Sequence, residues 1–203
     1  LGDGTLNGRS SPVQIGSSSW TAVRAGARHG IAIRSDNLLF TWGQNNYGQL
    51  GDGTSGTSRS SPVQIGSSSW TAVNAGAYHT GAIRSGGTLF TWGSNSNGRL
   101  GDGTQTNRSS PVQIGSSSWT AVAGGQDHTT AIRSGGTLFT WGRNAQGQLG
   151  DGTTADKSSP VQIGSSSWTA VSGGGTHTVA INNIGYLFTW GLGSAGQIGN
   201  ESL

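Results

Sequence analysis

The sequence has 203 residues, of which 9% are charged and 31% apolar, a length that holds one or two ordinary domains. Leu, Ile, Val and Phe fill only 36 positions, few for a conventional core, yet the net charge of +3 is far too small to drive charge-induced disorder. The absence of Cys excludes a disulfide scaffold and any thiolate metal site, and no apolar run reaches the length of a membrane-spanning helix.

Repetition reconciles low hydrophobicity with folding. The string LGDGT begins at residues 1, 50, 100 and 149. Pro12, Pro62, Pro111 and Pro160 recur in step with it, as do His29, His79, His128 and His177. So do two Trp series: Trp20, Trp70, Trp119 and Trp168, and Trp42, Trp92, Trp141 and Trp190. A period of this size marks a propeller, solenoid or array, whose units bury their apolar faces against each other rather than alone. The units are 1–49, 50–99, 100–148 and 149–197, and residues 198–203 open a fifth, so the chain reads as a single repeat domain.

In the first unit the sequence predicts four strands, over residues 11–15, 20–25, 29–34 and 38–42. Val, Ile, Thr, Phe and Trp populate them, and clusters of Gly, Ser, Asn and Asp separate them. Pro12 stands near the start of the first, where a strand tolerates it. No stretch carries helical periodicity or helix caps. Four antiparallel strands per unit make a propeller blade, so the expected fold class is all-β, a β-propeller. Small residues such as Ala25, Gly26 and Ala32 let neighbouring sheets approach, and the Trp pairs fill the wider outer gaps.

The motifs TWGxNxxGQLGDGT, SPVQI and VxAGxxHTxAI resemble the regulator of chromosome condensation repeat, over the whole chain and four times. The resemblance implies propeller blades, typically seven to a ring. Four blades are then either part of a larger ring or a protomer that completes one with copies of itself. It also implies activities known in that family: nucleotide exchange on a small GTPase with chromatin binding, or adaptor roles. The exchange activity resides in an inserted wedge, for which the spacing of 49 or 50 leaves no room.

Within the chain the units differ in a pattern. Strand alternation puts the connector 16–19 (GSSS) on one face of the blades with the turn after Arg34; GSSS is identical in every unit. The connector before each His and the long loop after each second Trp fall on the other face, and these vary. The first reads Ala27-Arg28, Ala77-Tyr78, Gln126-Asp127 and Gly175-Thr176; the second spans 44–47, 94–97, 143–146 and 192–195. A nearby strand position varies too: Arg24, Asn74, Ala123 and Ser172. Varied loops on a constant frame describe a recognition face; drift at exposed positions is the competing reading. The candidate partner-binding residues are Arg24, Arg28, Tyr47, Tyr78, Asn97, Asp127, Arg143 and Gln146, with Tyr and Arg the natural anchors.

Chemistry of other kinds finds little support. Symmetry spreads the four His around a ring, whereas a metal needs its ligands at about 2 Å; each His reads as a structural residue bonded to neighbouring backbone. The LGDGT aspartates lack the alternating acidic ligands of a calcium loop and read as turn residues. Gly191, Gly193 and Gly196 match a dinucleotide fingerprint without the helix that it requires. No Ser has a base placed beside it. Two glycosylation sequons, at Asn107 and Asn200, matter only in a secretory pathway. Arg9, Arg59, Arg108 and Lys157 form one basic series, and Arg34, Arg84 and Arg133 another. A nucleic-acid or phosphate surface is weighed against solvated charges that protect strand edges, the favoured reading.

The sequence therefore describes a non-catalytic interaction scaffold without cofactor or metal, its partner another protein or copies of itself, with no membrane insertion. Two other readings are a structural component of a virion, appendage or extracellular assembly, and a nucleotide-exchange factor for a small GTPase.

Overall fold

The structure, a computed structural model, describes residues 1–199; residues 200–203 of the fifth-unit opening, with the sequon at Asn200, lie outside the described residues. Among the described residues there are only strands and turns. Strand β1 (Trp20–Ala25), β2 (His29–Arg34), β3 (Leu39–Gly43) and β4 (Arg59–Gln64) form the first blade, antiparallel and in that order. The second blade holds β5 (Trp70–Ala75), β6 (His79–Arg84), β7 (Thr88–Gly93) and the first part of β8 (Arg108–Gly124). The third takes the rest of β8, β9 (His128–Arg133), β10 (Thr137–Gly142) and the first part of β11 (Lys157–Gly173). The rest of β11, β12 (His177–Asn182) and β13 (Leu187–Gly191) make the fourth.

The strands expected at 20–25 and 29–34 form with those bounds, and the next begins one residue late at Leu39. Two expectations change. The outer strand of a blade comes from the following repeat: β3 pairs with β4, Phe40 opposite Gln64 and Thr41 opposite Val63. The predicted strand at 11–15 is accordingly absent. A segment of its type completes the blade before its own, and none of the described residues gives it a partner. The GSSS stretch is also more than a connector in the last two units. There β8 and β11 run straight through it, with Ser118 opposite Thr88 and Ser167 opposite Thr137. One strand thus leaves the rim of one blade and becomes the inner strand of the next.

The core lies between blades, as a repeat with thin apolar faces demands. Ile31, Ile33 and Leu39 of the first blade pack with Trp70, Val73, Phe90 and Trp92 of the second. Trp70 meets Phe90 edge-on, ring centroids 5.6 Å apart, and Trp92 at 6.1 Å; Trp119, Phe139 and Trp141 repeat the group one blade on. Such pairs add about 0.5–1.5 kcal/mol to the burial of their area. Towards the axis the blades nearly touch. A Cβ on Gly76 would come within 2.8 Å of the Gly125 carbonyl oxygen and into the His79 ring, so the inner approach excludes every larger residue.

Those histidines are structural, but their partner is not backbone. His29 Nε2 lies 2.9 Å from Thr80 Oγ1 in the next blade, His79 Nε2 2.9 Å from Thr129 Oγ1, and His128 Nε2 2.9 Å from Thr178 Oγ1. Each Thr hydroxyl donates in turn to a main-chain carbonyl: Thr80 to Gln49, Thr129 to Arg99 and Thr178 to Gln148, all at 2.8 Å. A hydroxyl has one hydrogen. With that hydrogen on the carbonyl, Oγ1 accepts from His Nε2–H, and Nδ1 is the bare nitrogen. Nδ1 is buried without a partner in His29, His79 and His128.

Burial therefore opposes protonation. It lowers His29 and His128 from 6.5 to about 4, and His79 well below its ordinary value, with the nearby Arg99 and the other histidines adding to the effect there. The unfolded chain takes up protons below about 6.5 where the folded chain does not. Stability from these groups is thus complete above pH 6.5 and falls as the pH drops towards 4, by about 1.4 kcal/mol per pH unit for each histidine. The aspartates, whose pKa values are lowered from 3.8, give way only below that window. Urea unfolding at pH 7, 6 and 5 is expected to show a steady loss; replacing Asp52 and Asp102 should leave its slope unchanged, whereas His79→Gln should reduce it.

Candidate recognition face

Each long loop is built on a constant polar stalk. Asn45 Oδ1 accepts from the Leu50 amide at 3.1 Å, and its Nδ2 donates to Asp52 Oδ1 and to the Thr54 carbonyl. Asn95 and Asn144 repeat this with Leu100 and Asp102, and with Leu149 and Asp151. The aspartate of each LGDGT also accepts from the Thr amide two residues on, as expected for a turn residue. Its other oxygen takes the cation before the next Ser-Ser-Pro: Asp3–Arg9 2.7 Å, Asp52–Arg59 2.7 Å, Asp102–Arg108 2.8 Å and Asp151–Lys157 3.4 Å. Each cation of the first basic series is thereby paired with an aspartate of its own unit, its side chain still 30–39% exposed. Hydrogen bonds from Arg9 and Thr5 hold Asp3 at about 2.

The two varied stretches of each blade are joined. The Gln44 amide donates to the Arg28 carbonyl, Ser94 to Tyr78, Arg143 to Asp127 and Leu192 to Thr176, each at 2.9 Å. On the opposite face the Ser35 amide donates to the Ser19 carbonyl, and Ser85 and Ser134 repeat the bond to Ser69 and Ser118, so GSSS and the Arg34 turn lie together.

Varied residues also meet across blades. Tyr47, from the loop after blade 1, packs edge-on against Tyr78 of blade 2, ring centroids 5.6 Å apart. At the next junction Arg99 Nη1 lies 2.6 Å from Asp127 Oδ1, and Arg143 reaches the other Asp127 oxygen at 3.4 Å. Arg99 Nη2 donates to Ser96 Oγ and to Asn97 Oδ1, and Asn97 Nδ2 donates to Asp156 across the groove. Burial pulls the Arg99 pKa down, while Asp127 opposes the shift. Of the eight candidates, five are thus tied into these two clusters: Tyr47, Tyr78, Asn97, Asp127 and Arg143. Arg28 and Gln146 are exposed beside them, Gln146 with its amide held by Gln148 Oε1. Arg24 stands apart, exposed on β1 and donating to the carbonyl of Val23.

The sequence reading missed Arg99 and Asp156. Arg99 had a signal: it replaces the Gln that closes the other loops, at 49, 148 and 197. In those loops Gln49 and Gln148 hold the amide of Tyr47 or Gln146 at 2.9 Å. Arg99 exchanges that bond for an ion pair with the next blade.

The chain belongs to the RCC1-like domain family, whose model matches residues 1–203. It is similar to yeast RCC1 (Prp20) in its complex with Kap60: TM-score 0.80 and 20% identity over 94% of this chain and 48% of that one. It is also similar to human WBSCR16, with TM-score 0.77 and 24% identity over 90% of this chain and 50% of that one. A structure of Saccharomyces cerevisiae Prp20p, described with its binding to Gsp1p and histones, gives TM-score 0.71 and 21% identity over 79% and 43%. The chain spans about half the length of these structures, and the fold they share with it is the β-propeller.

The Arg99–Asp127 pair is nearly closed to solvent, which sets up an asymmetry. Asp127→Ala strands a buried guanidinium and should cost about 3 kcal/mol. Arg99→Gln restores the residue of the other loops, leaves Asp127 with Arg143, and should cost under about 1 kcal/mol. Chemical denaturation of the two variants checks the order; equal losses would contradict it.

Proposed function

We propose that the chain is a non-catalytic protein-binding scaffold and that the face carrying its varied loops is the docking surface. One observation carries the reading: residues that differ between units are drawn into a continuous strip on constant stalks, with Arg28 and Gln146 exposed along it. Loops fixed at their bases and free in composition at their tips suit recognition. The similar yeast structures bear names of protein partners, which agrees with a propeller face that takes proteins.

The test is site-specific photocrosslinking. A benzoylphenylalanine at Arg28 or Gln146 is expected to capture a partner from the host-cell extract, and one at Ser67 on the GSSS face is not. Alanine at both Arg28 and Gln146 should weaken the captured complex at least tenfold without changing the melting temperature. Capture from Ser67 alone would sink the reading. Higher-order species of this chain alone would favour the assembly-component reading, and accelerated release of labelled GDP from a small GTPase would favour the exchange reading.

A further inference from the structure

The second basic series ends the second strand of three blades, with one outcome in the first blade and another in the next two. Arg34 lies beside Phe40, its Cζ 4.8 Å from the ring centroid, and its fork grips Asp36: Nε to Oδ1 at 3.0 Å and Nη2 to Oδ2 at 2.6 Å. Arg84 and Arg133 sit closer over their rings, 4.0 Å from Phe90 and 3.9 Å from Phe139, and both also cover a Trp at 5.0 Å. Neither has a carboxylate. The turn that supplies Asp36 in the first blade reads Gly86-Gly87 and Gly135-Gly136 in the next two. The nitrogen that Asp36 satisfies in Arg34 is left over: Arg84 Nε and Arg133 Nε are buried with no partner among the described residues. Neither arginine joins an ion pair among them. In the fourth blade Asn182 takes the position and bonds its own turn through the Ile184 and Tyr186 amides.

Arg34 and Arg84 each stand in a groove between blades. The one at Arg84 measures about 480 Å³ and is walled by Ile65, Trp70, Arg84 and Pro111; the groove at Arg34 has the same positions, Ile15, Trp20, Arg34 and Pro62, and about 400 Å³. The arginine of the first blade thus carries a carboxylate on its fork, whereas at Arg84 the one carboxylate lining the groove, Asp52, is paired with Arg59, and the terminal nitrogens of Arg84 have none. A guanidinium held over aromatic rings keeps a planar set of donors that a carboxylate can match with two parallel bonds.

We infer that Arg84 and Arg133 are two equivalent receptor sites for Asp or Glu side chains of an acidic partner polypeptide, on the face opposite the varied loops, and that Asp36 occupies the third such site from within the chain. The inference is independent of the docking reading for the varied face. It ascribes to the constant face a use that its constancy serves, since identical sites at a fixed period suit a partner with several acidic residues.

The probe is a fluorescein-labelled octaglutamate peptide, titrated at low salt and read by anisotropy, with calorimetry for the number of sites. The wild-type chain is expected to show two sites. Arg84→Gln with Arg133→Gln should weaken binding at least tenfold. Asp36→Ala should raise the number to three, a gain that a purely structural arginine would not produce. No binding to the wild type, or Asp36→Ala and the double Arg variant both leaving the titration unchanged, would overturn the inference. So would binding of an eight-residue thymidine oligonucleotide in place of the peptide.

Discussion

The His–Thr–carbonyl chain is the constraint on which the rest of the molecule depends. It crosses each described junction between blades and ends on the residue that closes the loop of the preceding blade, Gln49, Arg99 or Gln148. On Gln49 and Gln148 the same carbonyl also accepts the second Trp of the next blade, through Trp92 Nε1 at 3.0 Å and Trp190 Nε1 at 2.9 Å. One short polar path therefore fixes three things: the spacing of two sheets, the position of a buried indole, and the base of a surface loop. Each buried hydroxyl on the path is fully bonded, while the bare imidazole Nδ1 has no partner among the described residues. The path closes because each hydroxyl accepts once and donates once. The glycine at the inner approach, as at Gly76, is the steric condition that lets the imidazole lie flat between the sheets.

This economy explains how a chain with little apolar content folds and still displays a varied surface. The frame is held by histidine, threonine, asparagine and aspartate at repeating positions, together with two Trp per blade. Loop tips are left to other uses. At the blade 1–2 junction the tips meet as Tyr47 on Tyr78, and at the next as Arg99 on Asp127. These are two chemically unrelated solutions to the same contact. A face that tolerates both without moving its stalks can change its chemistry from blade to blade, and this is the physical content of reading it as a recognition surface. Part of the variation is accounted for inside the chain, since five of the eight candidate residues contact one another or Arg99. The side chains of Arg28 and Gln146 have no hydrogen bond or ion pair among the described residues and are exposed.

Strand positions were legible in the sequence because runs of Val, Ile, Thr, Phe and Trp, bounded by Gly, Ser, Asn and Asp, recur four times. The 20–25 and 29–34 strands required no knowledge of partners. Which strands share a blade was not legible. A repeat is cyclic, so any starting point yields four strands, and only the pairing of Phe40 with Gln64 shows that the sheet closes with a strand from the next unit. The histidine's role was partly visible. Its partner is the Thr that follows the histidine of the next unit, Thr80, Thr129 or Thr178, and a contact about 50 residues away is set by the stacking of blades. The basic residues before Ser-Ser-Pro were seen as a series and their aspartates as another. Their pairing depends on the loop folding back on its own stalk, which spacing alone does not reveal.

The most direct measurement is the tautomer and charge of the three junction histidines, by long-range nitrogen–proton correlation NMR at pH 5.5. The account predicts that His29, His79 and His128 are neutral there, with the proton on Nε2 and a bare Nδ1. Neutral rings with the proton on Nδ1 and a bare Nε2 would mean that Thr80, Thr129 and Thr178 do not accept from histidine. The chain proposed to hold blades and loops together would then not exist.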